Sequence, residues 1–194
     1  MAGKTKDKLL DVAKQLFTLS GYEGLSMRSL ATTAGVSLSV TYHHFQDKDE
    51  LLKRLFKKTS RELGEYRSEL PKRSTAVEML RDRIEFQIDH AEDVVFILKY
   101  YLHYRGKYLR NATGFLPPKA YLHISEVLEY GVKTGEFTLE NPIEQEAKVV
   151  AHAINGFLLE YYPISPYTSE REELISSIHG FVVRALTGSA LAKA

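Results

Sequence analysis

The chain has no cysteine. That excludes a disulfide framework and any thiolate-held zinc, and it fits a reducing cytoplasm, where we expect the protein to act. No apolar run approaches the roughly 20 residues of a membrane span, so no membrane partner is expected. The opening stretch MAGKTKDKLL lacks the apolar core of a signal peptide. An excess of one charge is missing too. Lys and Arg number 26 against 25 Asp and Glu, a net charge of +1, so global electrostatics do not announce nucleic acid. Lys4, Lys6, Lys8, Arg28, Lys48, Lys53 and Arg54 gather in the first segment, but Asp7, Asp11, Asp47, Asp49 and Glu50 offset most of them.

Catalytic signatures are also absent. There is no GxSxG, no glycine-rich phosphate loop and no nucleophilic cysteine. Carboxylates lie mostly at helix starts, where the helix dipole accounts for them. The seven histidines include no i,i+4 pair and no HExxH, and adjacent His43 and His44 would splay about 100° apart on a helix. We expect no metal, no cofactor and no enzyme.

What is present is helical periodicity. The 194 residues are 44% hydrophobic and 26% charged, enough to bury a core. Leu9, Val12, Ala13, Leu16 and Phe17 recur at helical spacing and stop at Gly21. Asp47 with Glu50 is an acidic capping box for a long helix over 48–70, ending before Pro71. Thr75 with Glu78 opens the next helix, which breaks at His90, and a helix apolar over most of its circumference follows. Pro118 suits the first turn of a helix over 120–133 closed by Gly135. Asn141-Pro142 reads as a cap followed by proline at the first helical position, and Ser169 with Glu172 as a last capping box. No repeat, low-complexity tract or convincing strand appears. The expectation is an all-α protein of about nine helices.

One stretch organises the rest: SMRSLATTAGVSLSVTYHHFQDKDEL, from Ser26 to Leu51. Ser26 suits an N-cap. Leu30, Ala31 and Ala34 form an apolar face, and Gly35 supplies the left-handed residue of a sharp turn. Val36 plugs the angle, Ser37 caps a second short helix, and Phe45 anchors its end. Two helices across a glycine turn make a helix-turn-helix, whose second helix enters the DNA major groove.

Arg28, Leu30, Ala31, Ala34-Gly35-Val36-Ser37, Tyr42-His43-x-Phe45, Lys48 and Leu51 together resemble the TetR family of transcriptional regulators, over about the first third of the chain. The resemblance implies a helix-turn-helix DNA-binding domain over 1–47 and a ligand-binding and dimerisation domain over 48–194, with helix 48–70 connecting them. It implies base contacts from Arg28, Leu38, Ser39, Val40 and Tyr42. Ser26, Ser37, Tyr42, His43 and Lys48 are placed for phosphates or for the cap beside them.

Aromatic residues are dense from Phe86 to Tyr130. Phe86, Phe96, Tyr100, Tyr101, His103, Tyr104, Arg105, Phe115, Tyr121 and His123 are the expected lining of an effector cavity, mainly apolar with a few polar contacts. Lys99, Arg105, Lys107 and Arg110 leave room for an acidic group on a lipophilic or aromatic small molecule. The last two helices, 142–162 and 170–186, carry apolar residues on more than one face. Val150, Ile154, Phe157, Leu158, Tyr161, Leu174, Ile178, Phe181, Val182 and Ala185 are the expected dimer surface, since the family pairs these helices into a four-helix bundle. The resulting expectation is a homodimeric, ligand-responsive repressor of a palindromic double-stranded operator. Two other classes stay open: an architectural DNA-binding protein with no inducer, and a small-molecule-binding helical bundle that keeps the head as a relic.

Overall fold

The computed structural model describes residues 2–71, 73–111, 121–162 and 170–188. The expected pocket residue Phe115, the prolines at 117 and 118, and the proposed cap Ser169 lie outside them, as do the side chains of Lys107, Arg110 and Tyr161. The described residues form nine helices and no strand: α1 (Ala2–Gly24), α2 (Met27–Ala34), α3 (Leu38–His44), α4 (Lys48–Ser68), α5 (Ala76–Asp89), α6 (Ala91–Asn111), α7 (Leu122–Thr134), α8 (Ile143–Tyr161) and α9 (Glu170–Leu186). Among them, no helix is long and apolar enough to cross a membrane.

Packing divides the chain into two compact units. One is Met1–Tyr66 with Glu92–Phe115, and the other is Arg67–Ala91 with Leu116–Ala194. This division differs from a cut at 47/48, because most of α4 and nearly all of α6 pack with α1–α3.

In the first unit, α1 buries Leu9, Ala13 and Phe17, one turn apart. Gly21 does break this helix (φ +70°), and one further turn follows it. Phe17 meets Phe96 of α6 edge-on at 5.4 Å, and Phe56 of α4 stacks on Tyr100 of α6 at 4.3 Å. Two α6–α1 bonds lock the layer: Lys14 Nζ donates to Asp93 at 2.6 Å, and Lys99 Nζ to the Thr18 carbonyl at 2.5 Å.

In the second unit, α5, α7, α8 and α9 share a core that includes Leu80, Ile84, Ile124, Leu128, Ile154 and Ile178. The N-terminus of α5 is capped twice. Thr75 accepts from the Glu78 amide at 3.2 Å, and the Glu136 carboxylate accepts from the Ala76 and Val77 amides. These bonds hold Glu136 below the usual carboxylate range. The expected cap of α8 is corrected. Pro142 itself occupies the N-cap position with no side-chain cap, and Asn141 Nδ2 instead donates to Glu146 at 2.8 Å.

α7 ends as predicted at Gly135, in a left-handed conformation (φ +77°). The Glu136 amide reaches back to the Gly131 carbonyl and the Gly135 amide to Val132, the pair of bonds that defines a Schellman cap. This turn folds the buried Phe137 ring flat onto Gly131, where an added Cβ would fall 2.1 Å from a ring carbon. Gly131→Ala is therefore expected to displace Phe137 and cost about 1–3 kcal/mol, read as a lower thermal midpoint.

Candidate nucleic-acid interface

The geometry begins at Ser26. Its hydroxyl accepts from the Ser29 amide while the Ser29 hydroxyl accepts from the Ser26 amide, a reciprocal box that starts α2. Leu30, Ala31 and Ala34 then point inward, and Arg28 outward. Gly35 (φ +65°) closes α2. Its amide bonds the Thr32 carbonyl and the Val36 amide bonds Ala31, a second Schellman cap that turns the chain sharply. The Ser37 hydroxyl accepts from the Val40 amide at 3.3 Å and lies 2.9 Å from the Ser39 hydroxyl, opening α3.

α3 has two faces. Thr41 and, just after the helix, Phe45 are fully buried and fasten it to the core. Leu38, Ser39, Tyr42 and His43 are exposed, with Tyr42 at 52%, and Val40 is half-buried. Arg28 shares this exposure from α2. The expected DNA-facing residues thus sit on one short helix and its flank, with exposed guanidinium, phenol, imidazole and aliphatic groups. That mixture can donate to phosphates and touch base edges.

Two expected phosphate contacts are already engaged within the chain. The Ser26 hydroxyl is held in its capping box. Lys48 Nζ donates to the Tyr22 carbonyl at 2.8 Å and lies 3.5 Å above the Tyr22 ring. Here the ammonium staples the start of α4 to the end of α1. The Asp47 box forms, its carboxylate accepting from the Glu50 amide at 2.7 Å, while Glu50 accepts from the Gln46 amide.

Sequence reasoning missed a polar knot beside Lys48. The Asp49 carboxylate, in the first turn of α4, accepts from Tyr22 Oη at 2.7 Å and from Tyr104 Oη at 2.6 Å. His103 stacks on Tyr22 at 3.9 Å. Burial first, and Asp49 second, push the Tyr22 phenol up to about 12, and the same causes raise Tyr104. Asp49 looks like a mere offset charge in the sequence, and no local pattern joins positions 22, 49 and 104. A phenol with a raised pKa contributes stability that is complete below its ordinary value of 10 and is lost as pH rises through about 12. Asp49→Asn is expected to bring the Tyr22 titration back toward 10 and to lower the pH at which the protein unfolds in alkali, as followed by tyrosinate absorbance.

The expected cavity lining is divided between the two units. Phe96, Tyr100 and Tyr104 are buried against the first unit's own aromatic and polar partners, with Tyr101 and His103 half-buried beside them on α6 and Arg105 exposed. These buried rings are core, because α6 has to cover α1 and α4. Phe86, Tyr121 and His123 fall in the second unit. Phe86 lies under the Arg67 guanidinium, 5.4 Å from its ring centroid, Tyr121 donates to Glu144 at 3.2 Å, and His123 is buried.

The expected dimer set divides by burial. Val150, Ile154, Leu158, Ile178 and Val182 are buried in the chain's own core, and Leu174 is half-buried. Phe157, Phe181 and Ala185 remain exposed, and Val149 joins them at 60%. Helical periodicity found the apolar stripes but could not say which side faced inward. Among the described residues, no group of three or more metal-ligating side chains occurs.

A short exposed helix, clamped across a left-handed glycine turn to a buried partner helix, defines a helix-turn-helix protein. The family model for bacterial regulatory proteins of the TetR family matches residues 9–55, which contain the whole clamp. The HTH-type transcriptional regulator AcrR of Shigella flexneri is 34% identical over 64 residues, 33% of this chain and 30% of AcrR. The chain thus spans about a third of that relative's length. The HTH-type transcriptional repressor KstR2 of Rhodococcus jostii is 26% identical over 155 residues, 72% of this chain and 71% of KstR2. The solved structure of the TetR-family regulator PfmR from Thermus thermophilus has the same fold, with a TM-score of 0.71 at 24% identity over 91% of this chain and 97% of that one. Residues 9–55 are thus similar to the DNA-binding head of TetR-family regulators, and the fold of the chain is similar to theirs.

Proposed function

We propose that this protein is a ligand-responsive DNA-binding transcriptional repressor that acts in the cytoplasm as a homodimer. The observation that carries the reading is the outer face of α3. Leu38, Ser39, Tyr42 and His43 are exposed on a helix whose inner face, Thr41 with Phe45, is fixed in the core. A helix that needed only to fold would have no use for such a clamp beneath an uncommitted polar and aromatic face. One such helix reads only a few base pairs, so affinity comes from two symmetric copies on half-sites about 34 Å apart.

The Asp49 knot supports a route for control. Tyr104 belongs to α6, and Asp49 to the first turn of α4, immediately after the helix-turn-helix. A shift of α6 that broke the Tyr104–Asp49 bond would free the start of α4. An effector favouring that state would lower operator affinity by population shift, with a coupling of roughly 1–3 kcal/mol typical of such switches.

The test is selection of random duplexes by the full-length protein at moderate salt. The expected result is a palindrome with two half-sites one helical turn apart. Weak, sequence-blind binding would replace this reading with an architectural role, and no binding even at low salt, where phosphate contacts are strongest, would overturn DNA binding itself.

A further inference from the structure

The second unit holds a group of buried polar atoms that have no partner among the described residues. Arg67 stands at the end of α4. Arg83 and Gln87 lie one turn apart on α5, and His123 and Glu126 one turn apart on α7. Gln87 is 4% exposed and His123 7%. The Gln87 amide nitrogen, both ring nitrogens of His123 and Arg67 Nε are buried without a hydrogen-bond partner among the described residues. Arg83 donates weakly to the Arg67 carbonyl at 3.5 Å, and its nearest carboxylate, the mostly exposed Glu126, is 3.8 Å away. The two guanidiniums repel each other, and burial lowers the pKa of both.

Such a group is costly by itself. An unsatisfied buried donor costs on the order of 1–3 kcal/mol, and buried polar atoms in folded proteins are nearly always paired. The orphans are mostly donors. Arg67 Nε–H, the Gln87 amide and one His123 N–H are donors, the other ring nitrogen of the neutral imidazole is an acceptor, and the Arg83 fork stands beside them. What satisfies them together is an acceptor with several lone pairs and negative charge. Carboxylate and phosphate fit the planar fork of arginine best. Phe86, beneath Arg67, adds an apolar wall.

We propose that Arg67, Arg83, Gln87 and His123 form an oxyanion-binding site, the polar end of an effector pocket in the second unit. The effector is then an acid, carrying a carboxylate or phosphate. This rests on the reading of the protein as ligand-responsive, and it replaces Lys99, Arg105, Lys107 and Arg110 as the source of acid recognition.

The test uses the full-length protein with three probes at constant ionic strength: octanoate, octanol and inorganic phosphate. Thermal midpoints and the His123 imidazole NMR signals are followed. Octanoate well above its dissociation constant is expected to raise the midpoint by about 5 °C and to shift the His123 signals, while octanol does neither. Phosphate acting like octanoate would also support the site and would assign it to the free ion. Arg83→Gln is expected to fold with a midpoint at or above wild type, since it removes one of two repelling charges, and to lose the response to octanoate. His123→Phe, with no orphaned nitrogens, is expected to behave likewise. No response to either anion, or an undiminished response in Arg83→Gln, would overturn the proposal. Operator binding is measured in parallel. Anion binding that leaves operator affinity unchanged would preserve the site and remove the switch.

Discussion

Phe45→Ala is expected to destabilise the protein by about 3–5 kcal/mol, as measured by urea unfolding, whereas Tyr42→Ala, three residues earlier, is expected to leave stability within about 0.5 kcal/mol. The two aromatics differ in where they point. Phe45 is 1% exposed at the C-cap of α3, and its amide closes the helix by donating to the Thr41 carbonyl at 3.0 Å. Its loss leaves a cavity under the recognition helix, which only partly relaxes. Tyr42 is 52% exposed, and water replaces whatever it leaves. The order reverses for DNA. Tyr42→Ala combined with Arg28→Ala is expected to weaken operator binding about a hundredfold, two contacts worth roughly 1.4 kcal/mol each. Gel-shift titration and unfolding on the same preparations separate the effects. A Tyr42 variant that loses stability and keeps affinity would show that α3 does not face DNA as argued.

The helix-turn-helix was legible because its determinants are local. Ser26, Gly35 and Ser37 each act within four residues, and each makes in the structure the cap or turn its type favours. Phe17 and Phe45 were legible as core for a related reason, since helical spacing aligned them with Leu9, Ala13 and Thr41. The pocket was not legible. Sequence density of aromatics between 86 and 130 reflects two different duties. Phe96, Tyr100 and Tyr104 cover α1 and α4, while Phe86 and His123 belong to the second unit. The arginines that matter there, 67 and 83, meet only when α4, α5 and α7 pack, and nothing at either position marks them. The dimer face is hard to read from sequence for a subtler reason. Helices α8 and α9 are apolar on two sides, and periodicity weighs both equally. Burial alone distinguishes Ile154, inside the chain, from Val149 and Phe181, outside it.

The other large effect lies at His123 and is read in pH. Burial first, then the Arg67 and Arg83 charges, hold its imidazole down to about 3, against 6.5 when unfolded. Between these values the unfolded chain binds a proton that the folded chain refuses. Stability therefore rises with pH across the window: the His123 contribution is complete above 6.5 and is lost as pH falls toward 3. The slope is about 1.4 kcal/mol per pH unit, and the whole window is worth on the order of 5 kcal/mol. Glu126, on the same α7 face, offsets both arginines, and Asp82 also offsets Arg83. Acid loss at other groups is separable. Glu50 and Glu136 are held below their ordinary 4.5 by backbone hydrogen bonds, so their contributions begin to fall only under that value. The interval from 6.5 to 4.5 accordingly isolates the histidine. Urea unfolding at half-unit steps across it is expected to show the slope in wild type and a flat profile in His123→Phe. A wild-type profile as flat as the variant's would mean that His123 takes up its proton in the folded protein, and that the guanidinium pair is already neutralised by something other than an incoming anion.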